Sequence, residues 1–367
     1  MKVKTSKEPM IRIAKRTDAS TAYSYGVRAA SVVIALLACG VILLILTSGK
    51  VSFGEAYGEM LQGAFGTARR VKITVRDTCA LLCLAVALAP AFKMRFWNIG
   101  AEGQALVGAL ASCIVVKLMP DMNGALLILL MFIASIFAGA IWGVIPGYFK
   151  AKIKANETLF TLMMNYVAIQ LVKFFVVVWE KQKGSGVMAT LTTGKLPILF
   201  GVEYGWSIVI ILIVTVLSYV YMKYSKQGYE IAVVGESENT ARYIGINVNK
   251  VIVRTMALSG ALCGLAGFLL VSGTHHIVKS DIVGGNGFTA IIVAWLAQLN
   301  PLMMIFTSFF VSFLDIGTAK IASSCNLNDY ASDVVVGVAL FIILASEFFI
   351  NYQIIFNKHG KKAKEGK

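Results

Sequence analysis

The chain has 367 residues, of which 57% are hydrophobic and only 14% charged, and its formal net charge is +15. A soluble domain ordinarily carries about 25% charged residues, so this composition excludes an ordinary soluble protein. The apolar residues come in blocks of about 15 to 25, which is the length of a helix that crosses a bilayer. The sequence therefore predicts an all-α, polytopic membrane protein.

Ten apolar segments are candidate membrane spans, and the second, third and eighth are short for a full crossing. In transporters, short or glycine-interrupted segments often mark broken helices around a substrate path. A long basic segment precedes the first span and no small-residue cleavage site follows it, which favours a retained anchor over a cleaved signal. The predicted spans are 29–47, 78–92, 105–119, 124–149, 157–178, 206–223, 254–272, 287–299, 301–318 and 333–350.

Lysine and arginine concentrate in alternate connections and at span edges, where they meet anionic headgroups, and this bias predicts that both chain ends are cytoplasmic. The predicted domains are a basic N-tail (1–28), a membrane domain (29–350) and a basic C-tail (351–367). The segment 50–76 conflicts with this topology, because it should be external and yet holds five basic residues. It is either an amphipathic interfacial helix or a place where the span count is wrong.

The chain has none of the common motifs for catalysis, metal binding or ATP binding. The segments 47–51 and 192–196 contain Gly-Lys but lack the upstream glycine and the following Ser or Thr of a phosphate-binding loop. The six cysteines form no CxxC pair, and most lie in predicted spans as small packing residues. His275 and His276 lie in a predicted external loop without further ligands. We therefore predict no cofactor, and any uphill transport would draw energy from a partner chain or an ion gradient.

A polar stretch between the sixth and seventh spans, reading GESENTARYIGI, has the pattern of a short capped helix. Glu236 or Ser237 suits the N-cap, Arg242 suits the negative end of the helix dipole, and Gly245 suits the left-handed position after the helix. These features predict a helix at 236–245 on the cytoplasmic face. Local features alone fit both an ordinary loop helix and one that receives a push from another subunit.

The stretch FWNIGAEGQ places Asn98 and Glu102 between two apolar runs, four residues apart and so on one helix face. A charged side chain at bilayer depth costs at least about 2.5–3.5 kcal/mol on insertion scales, so Glu102 should face protein or water. In one interpretation Asn98 caps a broken helix and Glu102 accepts backbone N–H groups. In the other, these side chains line a translocation path. Candidates for that path are Trp97, Asn98, Glu102, Gln104, Asn165, Asn286, Phe288 and Gln298, with Trp295 as a further aromatic neighbour.

Four motifs occur in an order that resembles the permease subunit of bacterial ATP-binding cassette (ABC) importers, in the branched-chain amino acid, ribose and nucleoside branch. The first motif is most similar to nucleoside-uptake permeases, and the resemblance covers roughly 75–350. The chain departs from many relatives at Glu236-Ser237-Glu238 and at Trp295 to Gln298. These departures leave the assignment of the cytoplasmic helix unchanged but weaken the assignment of an exact substrate. The motifs are FWNIGAEGQ, NETLFTLMMNY (156–166), GYEIAVVGESENTARYIGI (228–246) and GNGFTAIIVAWLAQLNP (285–301).

The resemblance implies two paired permeases in a bacterial plasma membrane and a cytoplasmic ABC ATPase that binds the ATP. The same resemblance implies an extracellular lipoprotein that delivers the solute to the permeases. It also implies that 236–245 is the coupling helix, and that a bulky Trp in place of Ala241 should uncouple the ATPase while the permease still inserts. A simple-sugar importer is the alternative substrate class. An ion-driven transporter and an intramembrane enzyme or scaffold are further alternatives. Coupling candidates are Gly235, Glu236, Asn239, Ala241, Arg242, Tyr243 and Gly245.

Overall fold

The computed structural model describes residues 11–16, 20–47, 49, 51–180, 184, 188, 190–199, 201–328 and 330–356. In this part of the chain, nine helices are long and apolar enough to cross a membrane, and almost all other regular structure is also helical. The nine are α1 (Thr21–Leu46), α3 (Ala68–Lys93), α4 (Ala101–Leu118), α5 (Gly124–Ile153), α6 (Glu157–Trp179), α7 (Gly205–Tyr224), α10 (Val248–Phe268, continued by a π-helical turn Leu269–His275), α12 (Pro301–Ser324) and α13 (Tyr330–Asn351). The shorter elements are β1 (Ile11–Lys15), α2 (Phe53–Phe65), α8 (Lys226–Glu236), α9 (Glu238–Tyr243), α11 (Asn286–Leu296) and β2 (Tyr352–Phe356).

The chain folds into two compact units, one of residues 60–317 and one that combines the residues before 60 with those after 317. In the second unit, α1 packs against α13, and the Arg28 Nε donates to the Glu347 Oε1 at 2.9 Å. The two predicted tails pair with each other, because β1 in the N-tail and β2 in the C-tail form a two-stranded antiparallel sheet. The first helix begins at Thr21, before the predicted start at 29, because Ser20 accepts a hydrogen bond from the first turn and the polar residues after it are helical.

The segment that conflicted with the predicted topology is mostly helical over its described residues, 51–76. It contains α2, whose N-terminus is closed by a reciprocal Ser52–Glu55 capping box, and the first turns of α3. The predicted second span, 78–92, was therefore too short. The helix starts at Ala68, and hydropathy detects only its apolar part. The early basic residues are compatible with that helix: Arg76 pairs with its neighbour Asp77, with Nε 2.6 Å from Oδ1.

Glycines bring α5 and α10 into close contact in the core of the larger unit. Gly139 and Gly143 on α5 face Gly260 and Gly264 on α10, at the four-residue spacing that lets membrane helices approach closely. A β-carbon on Gly143 would lie 2.5 Å from the carbonyl oxygen of Met256. Helix α4 joins the same contact, because its own glycine at 108 also packs against α10. These three helices form the rigid base on which the candidate site is built.

Helix α11 confirms the prediction that the eighth apolar segment is too short to cross a bilayer. It has 11 residues and begins after two glycines in the left-handed region, Gly284 and Gly285. It ends before a second left-handed turn, at Gln298 and Leu299, with φ of 52° and 57°. Because non-glycine residues seldom adopt this conformation, the turn is held by its surroundings, and α11 is a separate half-helix between two sharp turns.

Candidate translocation path and coupling surface

The segment between α3 and α4 is a sharp reversal that Asn98 holds in place. Asn98 is fully buried, and its Oδ1 accepts the backbone N–H of Gly100 at 3.0 Å. Its Nδ2 donates to the Ser259 Oγ on α10 at 3.1 Å and to the Gln104 Oε1 at 3.2 Å. The side chain thus fixes the turn before α4 and joins it to α10, but the N-cap of α4 is Gly100 and not Asn98 as predicted.

Helix α6 holds the same reversal from the other side. The Thr161 Oγ1 accepts the N–H of Ile99 at 3.1 Å. The Asn165 amide makes two further bonds, accepting from the Gly103 N–H at 2.9 Å and donating to the Ile99 carbonyl at 2.8 Å. Gly103 is required by this approach, since a β-carbon there would lie 2.8 Å from the Asn165 Oδ1. A side-chain amide therefore replaces the bonds that a broken helix leaves open.

Glu102 joins the start of the spanning helix α4 to the start of the half-helix α11. Its Oε1 accepts the N–H of Gly285 at 3.0 Å, and its Oε2 accepts the N–H of Gly287 at 2.8 Å. The carboxylate is buried and lies at the positive end of both helix dipoles, where a negative charge is favoured. Gly287 packs directly on it, because a β-carbon there would lie 2.5 Å from the Glu102 backbone nitrogen. Glu102 thus accepts backbone N–H groups as expected, but they belong to α11 and not to its own helix.

A group of aromatic side chains is exposed beside these buried polar residues. The Trp97 and Trp295 rings stack with centroids 5.5 Å apart and planes 22° apart, and Phe92 touches both edges. Trp97 is 45% exposed and Trp295 is 38% exposed. Phe288 is exposed as well and lies two turns before Trp295 on the same side of α11. We call Trp97, Phe288 and Trp295 the aromatic face.

The structure divides the predicted path residues into two groups. Asn98, Glu102, Gln104 and Asn165 are buried and bonded to protein groups. The other four are accessible: Trp97, Phe288 and Gln298 are exposed, and Asn286 is half-buried at the first residue of α11. Of the eight predicted path residues, those that remain accessible are the members of the aromatic face, Trp97 and Phe288, and the amides Asn286 and Gln298.

The predicted cytoplasmic helix at 236–245 corresponds to α9, and a second helix, α8, comes directly before it. The sequence analysis missed α8, whose last residue is Glu236, and the helix that follows, α9, runs only over Glu238–Tyr243. Ser237 is the cap between them, since its side chain accepts the Thr240 N–H at 3.2 Å. Gly245 has φ of 83°, as expected for the position after a helix. The strong serine cap and the glycine were readable in the sequence, but the weakly apolar α8 was not.

One side of the α8–α9 pair packs against the rest of the larger unit, to which both helices belong. Ala241 is fully buried in a cluster with Met94, Phe96 and Val234. Gly235 abuts the carbonyl oxygen of Lys93, where a β-carbon has no room. A Trp in place of Ala241 would have to displace this cluster, so that substitution would disturb the packing of the permease as well as any contact with the ATPase.

The other side of α9 is open. Tyr243 is 94% exposed, and Ile244 and Asn239 beside it are also exposed. Glu238 and Arg242 form an ion pair on the surface, with Nη2 3.4 Å from Oε2. Phe96 belongs to the same buried cluster as Ala241, and Trp97 of the aromatic face is the next residue in the chain, so the cluster connects the packed side of α9 to the aromatic face.

Comparison with known proteins assigns the chain to a family. Residues 71–344 match the model of the branched-chain amino acid transport system / permease component family. The chain belongs to this family. It is a multi-pass membrane permease of the ABC transporter class, and so a transport subunit.

Individual relatives are similar over most of their length. A guanosine ABC transporter permease of Bacillus subtilis is 28% identical over 337 residues, covering 90% of this chain and 94% of the relative. A glucose ABC transporter permease of Haloferax volcanii is 28% identical over 360 residues, covering 93% of each. A nucleoside ABC transporter permease of Lactococcus lactis is 26% identical over 324 residues, covering 84% of this chain and 86% of the relative.

Proposed function

We propose that this permease is one half of the translocation path of an ATP-driven importer that takes up nucleosides. Two of the three relatives above are permeases for guanosine or for nucleosides, and they match almost the full chain. The aromatic face suits a solute with a planar base, because aromatic side chains stack on the π-face of any base. The half-buried Asn286 and the exposed Gln298, at opposite ends of α11, offer donors and acceptors for the polar groups of a ribose. The relatives carry this assignment, and the aromatic face supports it.

ATP hydrolysis takes place on a separate cytoplasmic ATPase, with α9 as the contact. The open side of α9 presents Asn239, Arg242, Tyr243 and Ile244, and the packed side rests on Met94 and Phe96. A push on α9 would pass through tightly packed side chains to the reversal that carries Trp97. Since packed interiors transmit displacement with little compression, this is a short mechanical route from ATPase to path.

The remaining partners are a second permease, which supplies the other half of the path, and an extracellular lipoprotein that captures the solute. The N-terminus is cytoplasmic in this arrangement, and because six spanning helices precede α8 in the described part of the chain, the helices α8 and α9 lie on the side of the ATPase. The path itself does not select tightly, because a solute that bound firmly inside it could not leave. Selection belongs to the lipoprotein, and the aromatic face lowers the barrier to passage.

A glucose-type sugar is the second candidate solute, because the glucose permease of Haloferax volcanii is as similar to this chain as the guanosine permease is. The test is uptake of labelled purine and pyrimidine nucleosides against glucose, ribose and galactose, in cells with and without this gene. We expect nucleoside uptake to fall on deletion and to return when the gene is restored. Loss of sugar uptake with nucleoside uptake intact would overturn the nucleoside assignment and leave the permease class standing.

A further inference from the structure

A basic cleft lies where the last turn of α5 meets the first turns of α10. Its volume is about 450 Å³, and three cationic side chains line it: Lys152 from α5, and Lys250 and Arg254 from α10. Tyr148 and Asn247 complete its polar wall. Helix α10 follows α9 directly, so the cleft lies at the same edge of the membrane domain as the coupling helices. The cleft is separate from the aromatic face and serves no step of the proposed transport cycle.

The positive charge of this cleft is largely uncompensated. Lys152 and Lys250 are exposed, and within the described part of the chain neither forms an ion pair. Arg254 is paired through one Nη2 with Glu230 at 2.9 Å. Its Nε–H is nevertheless buried without an acceptor among the described residues. A group that brought anionic oxygens into the cleft would neutralise the two lysines.

The surroundings of the cleft suit a molecule with an anionic head and apolar chains. Tyr148 is exposed and lies within 5.9 Å of the Lys152 ammonium, at the depth where tyrosines of membrane proteins meet headgroups. Two and three turns of α5 before Tyr148, the exposed Ile141 and Phe137 lie on the same side of the helix. A basic pocket that opens onto an apolar helix face is the arrangement that binds anionic lipid headgroups.

We infer that this cleft is a binding site for the phosphate headgroup of an anionic phospholipid, with its acyl chains along the exposed side of α5. The phosphate accepts hydrogen bonds from Lys152 and Lys250, the charge of Arg254 adds to the attraction, and Asn247 borders the glycerol. Bound there, the lipid would link the end of α5 to the start of α10 beside the coupling helices. The inference does not depend on which solute is carried.

The test is native mass spectrometry of the purified full chain in detergent, titrated with phosphatidylglycerol and, separately, with phosphatidylcholine of the same chain length. We expect phosphatidylglycerol to be retained better, and the double variant Lys152→Gln/Lys250→Gln to weaken its binding roughly tenfold or more, since each surface lysine adds about 1 kcal/mol to anionic-lipid binding. The matched control is Lys223→Gln/Lys226→Gln, which removes the same charge from exposed lysines outside the cleft and should change little. A charge-retaining variant, Lys152→Arg/Lys250→Arg, should keep the binding and guards against loss of fold as the cause.

Three results would overturn the inference. Equal phosphatidylglycerol binding by the Gln double variant and the unaltered chain would show that the cleft is not the site. Equal retention of phosphatidylcholine would show that the acyl chains alone are bound. Displacement of the lipid by millimolar inorganic phosphate would identify a free-phosphate site. Because the measurement involves no transport, its failure would leave the proposed importer function untouched, and the reverse also holds.

Discussion

The Glu102 carboxylate has two oxygens and two backbone N–H partners on α11, at Gly285 and Gly287, and this match determines how substitutions there should behave. A glutamine offers only one acceptor oxygen, and its amide N–H₂ would face the second N–H. A leucine offers none. The cost should therefore rise in steps with the number of donors left unpaired, at about 1–3 kcal/mol for each buried donor.

We expect Glu102→Leu to lower the unfolding midpoint of the purified protein in detergent clearly more than Glu102→Gln does, and both to lie below the unaltered chain. Glu203→Gln is the control for loss of a carboxylate, because Glu203 is exposed at the start of α7. The same midpoint for the Leu and Gln variants would show that Glu102 has no structural role. If Gln abolished uptake at unchanged stability, a direct role of Glu102 in the path would replace the structural one.

The stacked pair of Trp97 and Trp295 makes a different prediction, because these rings are partly exposed and join no buried polar network. Trp97→Ala and Trp295→Ala should lower the rate of nucleoside uptake several-fold while the affinity of the lipoprotein receptor stays the same. Trp206→Ala, at a similarly exposed tryptophan on α7, is the control. Unchanged uptake in both variants would remove the aromatic face from the path.

At the scale of elements, the contact between α5 and α10 depends on glycine. A β-carbon at Gly264 would fall on the carbonyl oxygen of Ser135, whereas one at Gly337 on α13 would meet nothing within 4 Å. Gly264→Ala should therefore destabilise the protein by about 1–3 kcal/mol, the usual cost of overpacking, and Gly337→Ala should not. The measurement is the fraction of monodisperse protein after heating in detergent. Equal losses for the two variants would mean that this contact is not tightly packed.

Helix α9 has one buried side and one open side, so substitutions on the two sides test folding and coupling separately. Tyr243→Ser changes only the open side and should reduce co-purification of the ATPase and uptake, with no change in the unfolding midpoint. Ala241→Trp should instead lower the midpoint, because it enters the buried cluster. Undiminished uptake and ATPase retention in Tyr243→Ser would show that α9 is not the contact.

The sequence predicted those elements whose cause is local. The membrane helices follow from apolar run length, the cap of α9 from Ser237, and the short α11 from its flanking glycines. It did not predict the full length of α3, because the polar first turns of that helix are invisible to hydropathy. Nor could it show that Glu102 binds Gly285, 183 residues away, since such a pairing depends on how α4 and α11 pack.

For the whole molecule, the net charge of +15 reflects basic residues at the helix edges, and no catalytic centre is needed for the proposed role. In the proposed mechanism the permease supplies the path, and the free energy for uptake comes from a partner ATPase that contacts α9. This distinguishes it from an ion-driven transporter, in which a titrating group in the membrane would couple solute to protons. Here the buried carboxylate of Glu102 is instead bonded to two backbone N–H groups of a half-helix.

The most direct test is labelled-guanosine accumulation in liposomes that contain the purified transporter complex, with its lipoprotein receptor outside and ATP inside or absent. We predict accumulation that requires both ATP and the receptor, and that glucose at the same concentration does not compete. Accumulation driven by a proton gradient without ATP would contradict the proposed mechanism. ATP-dependent accumulation of glucose in place of guanosine would contradict the proposed solute.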